Sequence, residues 1–458
     1  MLTGKLRWLP LVFCLLCVTA HGQEMKLEPG KAVEREIAGG ESHTYQISLA
    51  AGQFARFRLE QRAIDAALIL NAPGGKQLVE INLTRGGEQE SLSLEAAAAG
   101  IYRVVVQNSG ATPPRGSYRL EASVQAAATQ HDRKRVAAEA LLIEANELGK
   151  QGGKTAPQAI EKLEQAVLMW REMGEPIWVA WSLNKIGRAQ VSLNQNDKAI
   201  EYYERALAIN RQLPNRFAEG AVLNNLGNAH FNLRQFSKAI EFFEMSLALF
   251  REVKDRRWEG LTIYQLGNTR INLNEPEKAI ACFEQALPIL REVKDRAFEG
   301  QALKSLGLVY SNLGQWENAI AAYEPAIAIF RELKDQSSEG QTLNTLATVH
   351  SRLGRSEKAI EILNQVLALS RALKDRTQEG NTLRTLGAVY GGMGQTEKAI
   401  EYFEQGLAIS RELKDKRLES QALSNLGLAY TFLSQYEKAI EYLDQALPIT
   451  RETNNRAF

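Results

Sequence analysis

The chain has 458 residues, too many for one ordinary hydrophobic core, so several folding units or a repeat array are required. Hydrophobic residues make up 45%, charged residues 24%, and 55 Lys and Arg against 54 Asp and Glu leave a net charge of +1. That balance fits an ordered protein and excludes recruitment of nucleic acid or of an anionic membrane by bulk charge.

Residues 1–22 read as a secretory signal peptide: Lys5 and Arg7 precede an apolar run at 8–20 that closes on Val18-Thr19-Ala20. With Pro10 inside it, the run falls short of the roughly twenty apolar residues that a membrane-spanning helix needs. An exported protein, periplasmic or extracellular, is expected. Cys14 and Cys17 belong to the apolar run, which leaves Cys282 as the single cysteine of the mature chain, so packing and not a disulfide must hold the fold. Cys282 stands where other segments carry Tyr202, Phe242 or Ile362, and reads as core.

Residues 24–124 follow a period of two, with short strands expected at 43–49, 54–59, 65–70, 101–106 and 117–120, about eight in all. Gly39-Gly40, Ala51-Gly52, Pro73-Gly74-Gly75, Gly86-Gly87 and the stretch 110–116 supply turns at the spacing of a β-sandwich or jelly roll. Asp65-x-x-Leu68 with Pro73-x-Gly75, followed by Gly100-Ile101-Tyr102-Arg103-Val104 and Gly116-Ser117-Tyr118-Arg119-Leu120, resembles the bacterial pre-peptidase C-terminal type of sandwich. That resemblance implies a module that binds or positions something beside a secreted protein, with surface or carbohydrate binding as one reading. Asp65 is a turn-capping carboxylate or a calcium ligand; no acidic cluster with the spacing of a hard-cation site surrounds it, which favours the cap.

After a linker at 125–132, the region 133–458 repeats itself every forty residues. Ala-Ile recurs at 159–160, 199–200, 239–240, 279–280, 319–320, 359–360, 399–400 and 439–440. Twelve positions before the alanine lies a small residue: Gly187, Gly227, Gly267, Gly307, Ala347, Gly387 and Gly427. A fixed period of this size means a solenoid of helical hairpins. Small residues let helix axes approach, and one large residue four positions after the alanine of each Ala-Ile pair (Tyr203, Phe243, Phe283, Tyr323, Leu363, Phe403, Leu443) fills the remaining space.

Leu306-Gly307, Tyr310, Ala319, Tyr323 and Ala326 reproduce the tetratricopeptide repeat pattern, and the Lys-Asp turn at 254–255, 294–295, 334–335, 374–375 and 414–415 resembles the longer repeats of kinesin light chains. The resemblance implies a multidomain chain: an all-β sandwich followed by an all-α superhelical solenoid of about eight hairpins. Behind such a sandwich, these repeats also resemble the non-catalytic part of bacterial proteins that continue into a caspase-like CHAT protease domain. The first hairpin, 133–173, is atypical, with a longer glycine-rich connection suited to a cap. Pro288, Pro325 and Pro448 fall inside second helices, where kinks are expected. No polar closing helix follows the last repeat, so the expectation is that a partner or a second copy covers the open end, as in self-association, or that the chain is a piece of a longer one.

By that resemblance the first helices line a concave groove, and the groove positions hold Asn184, Arg188, Asn224, Asn228, Asn268, Gln301, Lys304, Gln341, Asn344, Asn381, Arg384 and Gln421. Amides dominate and carboxylates are missing, whereas Glu201, Glu204, Glu241, Glu244, Glu284, Glu361 and Glu404 crowd the second helices. Carboxamides both donate and accept, so a row of them can pair with the backbone of an extended peptide, and Arg or Lys then selects carboxylates. The expected partner is therefore a protein or peptide, acidic or bound by its C-terminus; the alternative is a plain solvated surface.

The sequence offers no chemistry. It has no nucleophile elbow, phosphate loop, metal-spaced His or Cys pair, or distinguishable carboxylate dyad, and no cofactor is expected. His230 and His350 occupy the slot that holds Tyr310, Tyr390 and Tyr430 elsewhere and read as stacking residues. A non-catalytic scaffold is the leading expectation, with a regulatory arm of a larger protease as the alternative.

Overall fold

The computed structural model describes residues 25–62, 64–82, 89–108 and 116–455; the expected signal peptide at 1–22, the expected turn at Gly86-Gly87, most of 110–116 and residues 456–458 lie outside them. The described chain divides into two compact units, one up to Leu213 and one from Pro214 onward.

The first unit opens with nine described strands: β1 (Met25–Lys26), β2 (Val33–Ile37), β3 (Ser42–Leu49), β4 (Phe54–Arg62), β5 (Ala66–Asn71), β6 (Gln77–Ile81), β7 (Gln89–Glu95), β8 (Gly100–Asn108) and β9 (Gly116–Gln125). They form a five-stranded sheet, β1-β3-β8-β5-β6, and a four-stranded sheet, β2-β9-β4-β7. Alternation sets the faces: Tyr45, Ile47 and Leu49 of β3 and Tyr102, Val104 and Val106 of β8 are buried, as are Phe57 and Leu59 of β4 and Tyr118 and Leu120 of β9. The two sheets meet through these residues, and the buried hydroxyls of Tyr45 and Tyr118 lie 2.6 Å apart across the core. Asp65 is exposed just before β5.

The linker is shorter than the sequence suggested. β9 runs to Gln125 and helix α1 (Gln130–Lys150) begins inside the expected 125–132 segment. Its start is set by a reciprocal cap: the Asp132 amide donates to Thr129 Oγ1 (3.1 Å) and the Thr129 amide donates to Asp132 Oδ2 (2.9 Å). α1 lies along β7, the edge of the four-stranded sheet, and so covers backbone groups that an open edge would expose. Glu139 makes that contact specific, accepting from the Ser93 amide (2.6 Å) and the Ser93 hydroxyl (3.2 Å). Arg133 forks onto both oxygens of Glu95 at 2.9 and 2.8 Å. Helices α2 (Ala156–Glu172), α3 (Pro176–Ser192) and α4 (Asn196–Asn210) complete the unit.

The second unit is a run of six hairpins: α5 (Arg216–Asn232) with α6 (Phe236–Glu252), α7 (Arg256–Asn272) with α8 (Pro276–Glu292), α9 (Arg296–Asn312) with α10 (Trp316–Glu332), α11 (Gln336–Arg352) with α12 (Ser356–Leu373), α13 (Arg376–Gly392) with α14 (Thr396–Leu413), and α15 (Lys416–Phe432) with α16 (Tyr436–Asn455). Together with the two hairpins of the first unit this makes the eight expected. The small register is explained by packing. A Cβ added at Gly227, Gly267, Gly307 or Gly387 would lie 2.5 to 2.7 Å from the ring of Phe243, Phe283, Tyr323 or Phe403 in the helix that follows. Helices α8, α10 and α16 run unbroken through Pro288, Pro325 and Pro448. All three rings sit at exposed positions, where water can serve the carbonyl left without a backbone donor.

The Lys-Asp turns work in two steps. Lys254, Lys294, Lys334, Lys374 and Lys414 take the left-handed conformation with φ of 55 to 59°, which ends each second helix. The next aspartate caps the following helix, as when Asp255 accepts from the Trp258 amide at 2.9 Å. Ion pairs tie successive helices: Glu259 of α7 takes Arg251 of α6 at 3.0 Å and Arg256 of its own helix, and Arg256 reaches Glu292 of α8 at 2.9 Å. Glu299 and Glu379 repeat the arrangement, with Arg296 reaching Glu332 at 2.7 Å and Arg376 reaching Glu412 at 2.5 Å. In α11 and α12 both partners of the last pair are replaced together, by Gln336 and Ala372.

Candidate functional site

The expected groove residues all lie on first helices, and the structure divides them into two kinds. In α5, Asn224 is only 1% exposed. Its amide donates to Gln265 Oε1 (2.6 Å) and Thr262 Oγ1 (3.1 Å) of α7. Gln265 Nε2 donates to Asn228 Oδ1 (3.1 Å), and Asn228 Nδ2 donates back to Asn224 Oδ1 (3.2 Å). Three carboxamides thus close a ring between two successive first helices, each both donor and acceptor.

The same bridging continues along the unit. Asn268 accepts from Ser305 (3.1 Å), Gln301 donates to Ser338 (3.2 Å), Lys304 donates to Gln341 Oε1 (2.9 Å), and Asn344 donates to Thr382 (3.0 Å). Asn381 donates to the Thr377 carbonyl of its own helix (3.1 Å). Gln341 and Gln421 are exposed. The residues that sequence reasoning missed are the receiving side: Gln265 and Ser305, two positions before the small residue, and Thr262, Ser338 and Thr382. Their polar side chains beside the amide positions were the available signal.

Other groups retain capacity. Asn344 Oδ1 and Arg384 Nε are buried atoms without a hydrogen-bond partner. Burial, and then the nearby Arg417, pull the Arg384 guanidinium below its ordinary range. Burial likewise pulls the Lys304 ammonium down, against the attraction of Asp335. In the first unit Asn184 is half-buried on α3, and Arg188 is exposed beside a cavity between α1 and α3. Glu201, Glu204, Glu241, Glu244, Glu284, Glu361 and Glu404 are exposed on second helices, so the two helix sets carry opposite charge character.

His230 stacks on Phe242, with ring centroids 5.1 Å apart and planes 4° from parallel, as Tyr390 stacks on Tyr402 and Tyr430 on Tyr442. His350 departs from that expectation. The position twelve residues on holds Ile362, not a ring, and burial pushes the His350 imidazole down while its Nδ1 stays unpartnered. Cys282 is half-buried and unpaired, and burial pushes its thiol up, away from the reactive thiolate. No group of three or more His, Cys, Asp or Glu among the described residues is arranged to hold a metal. No helix among them is long and apolar enough to cross a membrane.

The tetratricopeptide repeat model matches residues 153–212, 219–292, 298–372 and 374–452, and a second tetratricopeptide repeat model matches 184–252. No curated protein matches the chain. In fold it is similar to the apo form of the quorum sensor NprR from B. thuringiensis, at 15% identity and a TM-score of 0.56 over 70% of this chain and 88% of that one. It is also similar to a Signal Transduction ATPase with Numerous Domains that has a tetratricopeptide repeat sensor, from Pyrococcus horikoshii. There the identity is 16% and the TM-score 0.53 over 72% of this chain, which spans 55% of that protein. The apo form of RapI is similar at 14% identity and a TM-score of 0.51, over 60% of this chain and 99% of that one. At such identities the likeness is one of fold.

Proposed function

The chain belongs to the tetratricopeptide repeat family, and on that premise we propose that it is a non-catalytic, exported scaffold that holds an extended acidic peptide or protein segment along its first helices. The observation that carries the reading is the first-helix face of the second unit. It is built of carboxamides, hydroxyls and the cations Lys304 and Arg384, with the buried Asn344 Oδ1 and Arg384 Nε still unpartnered. Such a face offers backbone-pairing groups at regular intervals and attracts carboxylates. Asn224 and Asn228 hold the helices in place, and the contacts with the ligand come from Gln341, Asn344, Asn381, Arg384 and Gln421. Export rests on Lys5, Arg7 and the apolar run at 8–20.

The test is an array of twelve-residue extended peptides of graded charge, probed with the mature chain. Acidic members should bind best, and Lys304→Glu with Arg384→Glu should turn the preference toward basic members. A preference that these substitutions leave unchanged refutes the reading. The second reading is a sensor arm of a larger protein, a protease by the sequence resemblance; the fold shared with the tetratricopeptide repeat sensor of an ATPase from Pyrococcus horikoshii supports only the sensor-arm part of it. The intact mass of the native protein separates the two.

A further inference from the structure

α1 is the helix that lies against the sandwich, and it does so along β7. Glu139 sits in that contact and is 3% exposed. Its Oε2 accepts from the Ser93 amide (2.6 Å), an edge donor because β7 ends its sheet. Its Oε1 accepts from the hydroxyls of Ser93 (3.2 Å) and Ser91 (3.4 Å). Two cations face the same group, each engaged elsewhere. Arg56 of β4 donates to Ser91 Oγ (3.1 Å), and Arg135 of α1 pairs with Glu175, just ahead of α3, and lies over the Trp170 ring. Arg58 and Glu175 act on Arg56 in turn. Glu90 is buried as well, but on the opposite, core-facing side of β7, beside Leu59.

We propose that Glu139 is a proton-operated latch between the sandwich and the helices: protonated, it seals the β7 edge against α1, and once ionised it releases the sandwich, which pivots about residues 126–129 while α1 stays packed on α2. The site suits the proton. Serine hydroxyls accept as well as donate, so a carboxyl with its proton on Oε1 keeps every partner while Oε2 still takes the Ser93 amide. Ionised, the group puts a charge where water is excluded. Burial accordingly raises the carboxyl from 4.5 to about 7, outweighing the Ser93 bonds and the charges of Arg56 and Arg135, which pull the other way. A carboxyl that leaves the contact returns to its ordinary 4.5, so docking is at full strength below about pH 4.5 and is lost as pH rises through 7. A second tie across the contact, Arg133 with Glu95, is exposed and holds weakly. The helix side is braced on its own by Arg135 with Glu175.

The test is hydrogen exchange of the full chain, with protection factors taken over 89–95 and over 101–106 at pH 5.5 and pH 8. Protection over 89–95 should fall about thirtyfold between the two, the ratio that a carboxyl moving from about 7 to 4.5 on release gives. The stretch 101–106, in the middle of the five-stranded sheet, should keep its protection. Glu139→Gln retains an acceptor for the Ser93 amide and cannot ionise, so it should hold 89–95 at the pH 5.5 level throughout. Circular dichroism checks that it folds. His131→Gln, at the exposed start of α1, is the control and should leave the fall intact. Equal protection at the two pH values, a fall shared by 101–106, a fall that Glu139→Gln retains, or one that His131→Gln removes overturns the inference. The wild-type comparison of the two stretches decides the matter even if Glu139→Gln does not fold.

Discussion

Gly307→Ala is the most direct test of how the repeats are held together. The new Cβ would sit 2.6 Å from Cε1, 2.7 Å from Cδ1 and 2.9 Å from Cζ of Tyr323, a ring that is 1% exposed and has no free volume to retreat into. Relieving those contacts costs about 1 to 3 kcal/mol, while Ala in place of Gly in a helix returns about 1 kcal/mol. The net loss should be about 1 kcal/mol. The chain holds its own control, because the one repeat with Ala in this register, Ala347, has Leu363 where the others with buried partners carry a ring, and both are fully buried. In a Tyr323→Leu background, Gly307→Ala should therefore become neutral or stabilising, a coupling of about 2 kcal/mol. Gly427→Ala should also be close to neutral, since its neighbour Leu443, at 2.6 Å, is 43% exposed and can swing aside. Hydrogen exchange over 296–332 reads the local opening energy without assuming that the whole array unfolds at once. Equal effects of Gly307→Ala in the Tyr323 and Leu backgrounds would refute the account.

Burial pushes the Glu139 carboxyl up to about 7, although hydrogen bonds from Ser93 and the charges of Arg56 and Arg135 oppose it. A folded value above the unfolded 4.5 means that this group's contribution is fully present below about pH 4.5 and is lost as pH rises through 7. The first unit should lose roughly 3 kcal/mol over that window through Glu139. Glu139→Gln should flatten the slope, measured by urea unfolding followed through the buried Trp170 at pH 5 and pH 8; a variant that keeps the slope counts against the assignment. Glu379 of the ion-pair ladder acts with the opposite sign. Burial raises Glu379, but hydrogen bonds from Arg371 and Arg376 outweigh it and hold the group low, so its contribution is lost only as pH falls below the ordinary carboxylate range. Asn224→Ala should cost about 1 to 3 kcal/mol by opening the carboxamide ring and stranding Gln265. Unchanged thermal stability together with lost peptide binding would instead make Asn224 a ligand contact.

Much of the fold could be read because it is written locally. The forty-residue period, the small register at Gly227 and Gly307, the large partners Phe243 and Tyr323, and the Lys-Asp turns each follow from helix geometry and capping over a few dozen residues. The strand alternation at 43–49 and 101–106 is of the same kind. The start of α1 was misplaced because a Thr-Asp cap inside a polar stretch carries little periodicity, and His350 was misassigned because its slot was judged without the residue opposite.

Which residues face the same side was therefore determined by sequence alone. What those side chains do there was decided only by tertiary structure. Asn224, Gln265 and Asn228 close on one another across 37 to 41 positions of chain, and nothing in the pattern distinguishes that ring from a row of free amides. The burial of Glu139 against Ser93 and the opening between α1 and α3 are decided in the same way. Periodicity fixes the direction of a side chain, whereas hydrogen bonding, burial and charge depend on distances of a few ångströms to residues brought close only when the helices have packed.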